Sequence, residues 1–433
     1  MTAENLNWNR ALDVASRSDI GMRRSNNQDS FVVSLASNPN QWEQRGHLLV
    51  VADGMGAHAA GELASRLAVD HVAHLYYKFP EQSAPEALRR AMIEANAEIN
   101  RRGQANEEFH NMGTTCSALV LLPQGAIVGH IGDSRVYRLR QNRLEQLTFD
   151  HSLVWEMRAS GQLTRENEVA VNIPKNVITR SLGPYPEVRI DLEGPFPIEP
   201  DDTFLICSDG LTGLVADDEL GPILASLPPE DAAQVLIDLA NLRGGPDNIS
   251  LIIAKVPNHH RTAKQAKPLT IGAQRRSMGS VAIGWAIFVS CLVFAGILYW
   301  ATGSLAAALV PGLAGLVVLI WILIQLLGWT GRGTIVSPGK RFGRAPYTRT
   351  DCASGQKLLE QLDLITSQLR EAAIEENWSI DRQKLDTLIG SARTAATRKQ
   401  ESTAIRQFAL SISFLMDQLR AQQPNPNDSN IDL

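Results

Sequence analysis

The spacing of apolar and polar positions divides the 433-residue chain into three parts. In residues 1–256, short apolar runs rich in β-branched side chains recur at 48–52, 117–122, 126–131, 203–207 and 249–256. Runs of that length and composition predict strands, several of them buried on both faces. Residues 59–77 and 85–101 carry the three-and-four spacing of amphipathic helices. The two kinds of segment do not alternate as βαβ units. The pattern therefore predicts an α+β fold, with a β-rich core and flanking helices.

The second part is residues 277–331, 55 residues without one charged side chain. A single membrane span needs only about 20 residues. Thr302-Gly303-Ser304 interrupts the run near its middle, which predicts two spans of about 23–26 residues joined by a tight turn. Basic residues flank it on both sides: Arg261, Lys264, Lys267, Arg275 and Arg276 before, then Arg332, Lys340, Arg341, Arg344 and Arg349 after. No acidic residue lies between His259 and Thr350. Positive flanks stay on the cytoplasmic side, so both ends of the hairpin and both polar regions are expected there, on an inner (cytoplasmic) membrane. Residues 257–276 and 332–351 read as basic linkers.

In the third part, 352–420, apolar stripes run through Leu358, Leu362, Ile365, Leu369 and Ala372, and through Ile405, Phe408, Ile412, Leu415 and Leu419. Leu385, Leu388 and Ala392 form a weaker one. These predict two or three amphipathic helices in a small bundle or coiled coil. The placement suggests self-association or a protein partner, with hydrolysis independent of the region. Residues 421–433 are polar and expected to be disordered.

Composition narrows the chemistry. A net charge of −5 gives no global attraction to nucleic acid. The four cysteines are scattered and form no CxxC pair, which fits a reducing compartment. Met1 to Arg10 lacks the apolar core of a signal peptide.

One local pattern repeats in the first part. An apolar strand ends and an Asp with a small neighbour follows, as in Ala52-Asp53-Gly54, Gly132-Asp133-Ser134 and Ser208-Asp209-Gly210. Asp247 stands just before the last strand. Any one Asp-Gly is an ordinary turn pair. Several carboxylates converging at strand ends would repel each other unless a cation sat between them, and Mg²⁺ or Mn²⁺ takes such oxygens. There is no HxH or HExxH pattern for zinc.

A set of ordered motifs then makes the resemblance specific. They are the segments 18–29 (Ser-Asp-Ile-Gly-Met-Arg-Arg-Ser-Asn-Asn-Gln-Asp), 51–58 (Val-Ala-Asp-Gly-Met-Gly-Ala-His), Gly113-Thr114-Thr115, 132–135 (Gly-Asp-Ser-Arg), 147–152 (Leu-Thr-Phe-Asp-His-Ser), 178–183 (Ile-Thr-Arg-Ser-Leu-Gly), 207–211 (Cys-Ser-Asp-Gly-Leu) and 247–250 (Asp-Asn-Ile-Ser). In this order, over roughly residues 11–256, the chain resembles the PPM family of metal-dependent Ser/Thr protein phosphatases.

That resemblance implies a sandwich of two antiparallel sheets flanked by helices, in α-β-β-α layers. It implies two Mn²⁺ or Mg²⁺ ions held by Asp53, the Gly54 carbonyl, Asp209 and Asp247. Asp29 lies in the metal shell, and a third, weaker site uses Asp133 and Asp209. Arg24 takes the phosphate-binding position, and His58 protonates the leaving oxygen or orients substrate. His151 reads as structural. The segment 150–186 corresponds to the family's flap beside the active site. Two departures stand out: Gln28 where many members carry Glu, and Ala57 where glycine is common. The implied partners are phosphoprotein substrates and a Ser/Thr kinase pathway. A membrane signalling scaffold with an inactive phosphatase domain, or an enzyme for small-molecule phosphates, is the alternative.

Overall fold

The computed structural model describes residues 12–56, 59–79, 81–163, 177–257, 269–271, 278–303, 305–328, 334–336 and 341–422. In chain order the elements are β1 (Asp13–Asp19), β2 (Asp29–Ser34), α1 (Pro39–Gln44), β3 (His47–Met55), α2 (Ala60–Lys78), α3 (Ala84–Ala105), β4 (Gly113–Thr114), β5 (Cys116–Leu122), β6 (Gly125–Ile131), β7 (Arg135–Arg140) and β8 (Arg143–Gln146). Then come α4 (Leu153–Ala159), β9 (Asp191–Phe196), β10 (Thr203–Cys207), α5 (Asp209–Thr212), α6 (Asp217–Ser226), α7 (Pro229–Leu242) and β11 (Ile249–Lys255). The remainder is β12 (Leu269–Ile271), α8 (Met278–Thr302), α9 (Leu305–Gly328), β13 (Thr334–Val336), β14 (Thr348–Asp351), α10 (Gln356–Glu375), α11 (Arg382–Thr397) and α12 (Glu401–Arg420).

Two antiparallel six-stranded sheets carry the first unit. One runs β1-β11-β10-β7-β8-β14; the other runs β2-β3-β5-β6-β9, with β4 paired to β3. The period-two rule of strands places each side chain. On β10 and β11, Phe204, Ile206, Ile252 and Ala254 enter the core between the sheets with Leu49, Leu119, Val128 and Phe196. Their neighbours Leu205, Cys207, Leu251 and Ile253 face the helices outside. The expected strand runs and both expected helices form, with ends shifted by a few residues. The expectation missed β1, β2, β7, β8 and β9, which carry more polar residues.

Residues 341–422 correct the expected layout. Residues 341–351 are no linker: β14 pairs with β8 and extends the first sheet, with Thr348 opposite Gln146 and Asp351 opposite Arg143. Residues 352–420 do form three helices, but these are no separate bundle. Phe408, Ile412 and Leu415 of α12 share one core with Leu236 and Leu239 of α7 and Leu220 and Ile223 of α6. Leu358 and Leu362 of α10 join it. The phase of two stripes also moves by one residue, so that Ala373 and Ile389 are buried in place of Ala372 and Leu388. Four ion pairs cross the seam: Arg349–Glu145 at 3.3 Å, Lys357–Asp218 at 2.6 Å, Arg406–Asp231 at 3.9 Å, and Arg420–Asp238.

The second unit comprises residues 79–87 and 268–339. Here α8 and α9 pack on each other, with Gly303 at the turn in a left-handed conformation (φ 63°). Strands β12 and β13 pair at its base, Leu269 opposite Val336. Among the described residues one stretch, Trp285–Thr302, is long and apolar enough to cross a bilayer; its mean hydropathy is 1.9 and none of it is buried. The second helix contributes the shorter apolar stretch Leu309–Ile320. The expected segments 257–276 and 421–433 fall mainly outside the described residues.

Candidate active site

Strand register gathers the aspartates at one end of the sandwich. In the β2–β3 ladder Asp29 lies directly opposite Asp53. Like charges directly opposed weaken a sheet, so this pairing is kept for something other than stability. In the other sheet Asp133 precedes β7, Asp209 follows β10, and Asp247 precedes β11. Cys207 pairs with Arg135 and with Leu251, which sets the three acids at a common end.

Each backbone position is held by named groups. The Asp53 N–H donates to Thr115 Oγ1 (2.9 Å). The Asp53 carbonyl accepts from Thr114 Oγ1 (2.8 Å) and from the Thr115 N–H (2.9 Å). Gly54 is required by close approach, since a Cβ there would lie 2.0 Å from the Gly61 carbonyl oxygen. Asp29 Oδ2 accepts from the Ser208 hydroxyl (2.8 Å). Asn248 ties the loops together: its Oδ1 accepts from the Gln28 N–H (2.8 Å) and its amide donates to the Ile20 and Asn26 carbonyls. Thr114, Thr115, Ser208 and Asn248 lie within the motifs, but sequence reasoning gave them no task. For Ser208 and Asn248 the signal was a hydroxyl or amide next to an acid; Thr114 and Thr115 have no acidic neighbour in the sequence.

The electrostatics are those of acids crowded together away from water. Burial pushes Asp29 up to about 7, against the hydroxyls of Ser250 and Ser208, with Asp209 and Asp247 adding repulsion. Burial, with Asp209 and Asp150 nearby, pushes Asp133 up to about 8. Asp53 is driven well above the carboxylate range by burial and then by Asp29, Asp209, Asp133 and Asp247. Asp209, raised by burial and by Asp247, shares a hydrogen bond with Asp53. Two ionised carboxylates cannot hold that arrangement without a proton or cation between them. Oδ1 of Asp29, of Asp133 and of Asp209 is buried and has no hydrogen-bond partner.

These features fit divalent cations. Among the described residues no three acidic, His or Cys side chains are already drawn together as a closed cage. Mg²⁺ and Mn²⁺ do not need one, because they complete their shells with carbonyls and water.

Arg24 is brought to the site: Nη2 donates to Asp247 Oδ2 at 2.7 Å, and the guanidinium is half-exposed. His58 and Ala57 lie outside the described residues. Beside the acids is a cavity of about 370 Å³ lined by Asp133, Arg135, Ser152, Trp155, Arg158 and Asp209, among others. Its floor is the Arg135–Asp150 ion pair (2.7 Å), with Trp155 5.7 Å from the Arg135 guanidinium.

Comparison with known proteins agrees with this geometry. The family model described as protein phosphatase 2C matches residues 22–240. A protein phosphatase 2C-type relative of Streptococcus pyogenes is 40% identical over 248 residues, covering 56% of this chain and 96% of the relative. Protein phosphatase PhpP of Streptococcus pneumoniae is 34% identical over 251 residues, 57% of this chain and 98% of its own length. Among solved structures, the Mycobacterium tuberculosis serine/threonine phosphatase PstP/Ppp superposes with a TM-score of 0.51 at 34% identity, covering 57% of this chain and 99% of that one. The chain belongs to the protein phosphatase 2C family.

Proposed function

We propose that this protein hydrolyses phosphoserine and phosphothreonine on proteins, using water activated by Mn²⁺ or Mg²⁺. The carrying observation is the cluster of Asp29, Asp53, Asp133 and Asp209, all with raised proton affinities, in which one buried oxygen each of Asp29, Asp133 and Asp209 has no hydrogen-bond partner. Asp53, the Gly54 carbonyl, Asp209 and Asp247 would hold two ions, Asp29 would stand in their shell, and Asp133 with Asp209 would hold a weaker third. Bound there, the ions lower the pKa of water and neutralise charge on the phosphoryl oxygens. Arg24, within reach of Asp247, offers a guanidinium fork to the phosphate dianion. His58 is assigned the proton to the leaving seryl or threonyl oxygen.

The apolar hairpin 277–331 supports a two-span anchor with the catalytic unit on the cytoplasmic side, opposing a Ser/Thr kinase. The helices 352–420 would serve the catalytic unit before any partner. The chemical test is phosphate release from a phosphothreonine peptide by the full-length protein with Mn²⁺, and its loss in chelator. Undiminished release in excess chelator would overturn the metal mechanism. No release under any metal would favour the scaffold alternative. A periplasmic reporter fused after Gly331 should stay silent; strong signal would refute two spans.

A further inference from the structure

We propose that His151 is a positioning residue that ties Asp133 to the segment 178–182, and that Asp191 and Arg180 lock it in place. The inference rests on reading Asp133 as a metal ligand.

His151 is fully buried, and its bonds fix its tautomer. The Gly132 N–H donates to Nδ1 at 3.0 Å, so Nδ1 carries no proton. Nε2–H therefore donates to Asp191 Oδ2 at 2.9 Å. The His151 N–H in turn donates to the Gly132 carbonyl at 2.8 Å. One residue thus grips both sides of Gly132, the position just before Asp133. Gly132 sits at φ 109°, which L side chains rarely adopt, and a Cβ there would lie 2.5 Å from Thr115 Cβ. The turn is tight, and its direction decides where the Asp133 carboxylate points.

The other side of the network is the Ile-Thr-Arg-Ser-Leu-Gly motif. Arg180 donates twice to Asp191, Nη1 to Oδ1 and Nη2 to Oδ2, each at 3.0 Å. The Thr179 N–H donates to the His151 carbonyl at 2.8 Å. Three residues on, Leu182 and Thr114 exchange backbone bonds at 2.9 and 3.0 Å, and Thr114 Oγ1 holds the Asp53 carbonyl. The segment is stitched at one end to the turn before Asp133 and at the other to the backbone of Asp53. A displacement of the segment is therefore passed to two carboxylates of the centre. The Arg180 fork matters because a bidentate guanidinium fixes the carboxylate plane, which a lysine point charge does not.

The test uses the full-length protein in detergent, with Mn²⁺ alone as the probe. Arg180→Lys and His151→Gln should each weaken Mn²⁺ binding measured by calorimetry, by about tenfold, the scale on which groups orienting metal ligands act. For Arg180→Lys, kcat at saturating Mn²⁺ and the unfolding temperature in chelator should stay near wild type. A merely structural latch would instead lower the unfolding temperature and leave Mn²⁺ affinity alone. In an Asp133→Asn background, Arg180→Lys should cost clearly less than it does alone, since the larger part of its effect runs through that carboxylate. Wild-type affinity in Arg180→Lys, or an additive loss in the double variant, overturns the inference while leaving the metal site intact. A wild-type protein that binds no Mn²⁺ overturns the metal-site reading and this inference together.

Discussion

The acidic end of the sandwich and the seam between residues 341–422 and the strands and helices they cover treat their carboxylates in opposite ways. At the seam Glu145, Asp218, Asp231 and Asp238 each face a cation, and in all four pairs the cation comes from the C-terminal segment. At the acidic end, carboxylates face carboxylates, and unpartnered oxygens remain. A buried charge is expensive unless paired. At the seam the two buried acids, Glu145 and Asp238, each have a cation within the chain, with one oxygen of Asp238 left without a hydrogen bond. The acidic end leaves that cost to be met from outside, which is what a cation site must do if it is to bind anything.

The largest effect should come from Asp53→Asn. Mn²⁺-dependent hydrolysis should fall by well over about a hundredfold, beyond the scale of changes outside the ligand set. The same variant should unfold at a higher temperature than wild type in chelator, because a repulsion is removed. Lower stability in chelator would mean the acids are already neutralised, and the contrast with the seam would fail.

Next is the seam itself. Phe408→Ala should cost about 3–5 kcal/mol, the range for emptying a buried aromatic site, read by denaturant unfolding of the full chain. Arg420→Met leaves Asp238 buried without its cation, and losses of that kind run to about 3–5 kcal/mol. Removing residues 341–422 should then yield protein that does not fold, contrary to the expectation from sequence that hydrolysis is independent of this region. A soluble, active fragment lacking them would break the comparison.

A third prediction uses pH. Burial, and then the neighbouring His151, push His130 down to about 3. Nε2–H donates to the Phe149 carbonyl (2.9 Å), and Nδ1 lies 2.9 Å from the Ser117 hydroxyl. The folded pKa lies below the unfolded value near 6.5. The stability from keeping this ring neutral is therefore complete above pH 6.5 and is lost as pH falls toward 3, at about 1.4 kcal/mol per pH unit. His130→Gln should flatten that limb of the unfolding profile; an unchanged slope would refute the assignment. The smallest effect is Lys357→Ala: the Asp218 pair is exposed, and the midpoint of denaturant unfolding should barely move.

Sequence and structure agree where chemistry and pattern coincide. Asp53, Asp133 and Asp209 each follow an apolar strand, so both strand and acid could be read together. β14 could not, because Thr-Arg-Thr-Asp has no apolar signal and takes its register from β8. The α12 stripe was visible, but a stripe does not name the surface that buries it. α7 supplied that surface from more than 150 residues away. His151 was read as structural; its grip on Gly132 depends on ring orientation, which spacing does not encode.

The insertion of the hairpin between β11 and β14 has a consequence for synthesis. Both strands belong to one sheet, yet residues 278–328 lie between them in the chain. A ribosome makes the entire apolar hairpin before it makes the strand that covers the open edge of β8. The first sheet therefore cannot gain its edge strand β14 before the hairpin has been made, which orders that last step in time. On nascent chains stalled before and after residue 422, protease resistance of residues 12–257 should appear only on the longer one. Resistance on the shorter chain would show that the sandwich closes without its last strand.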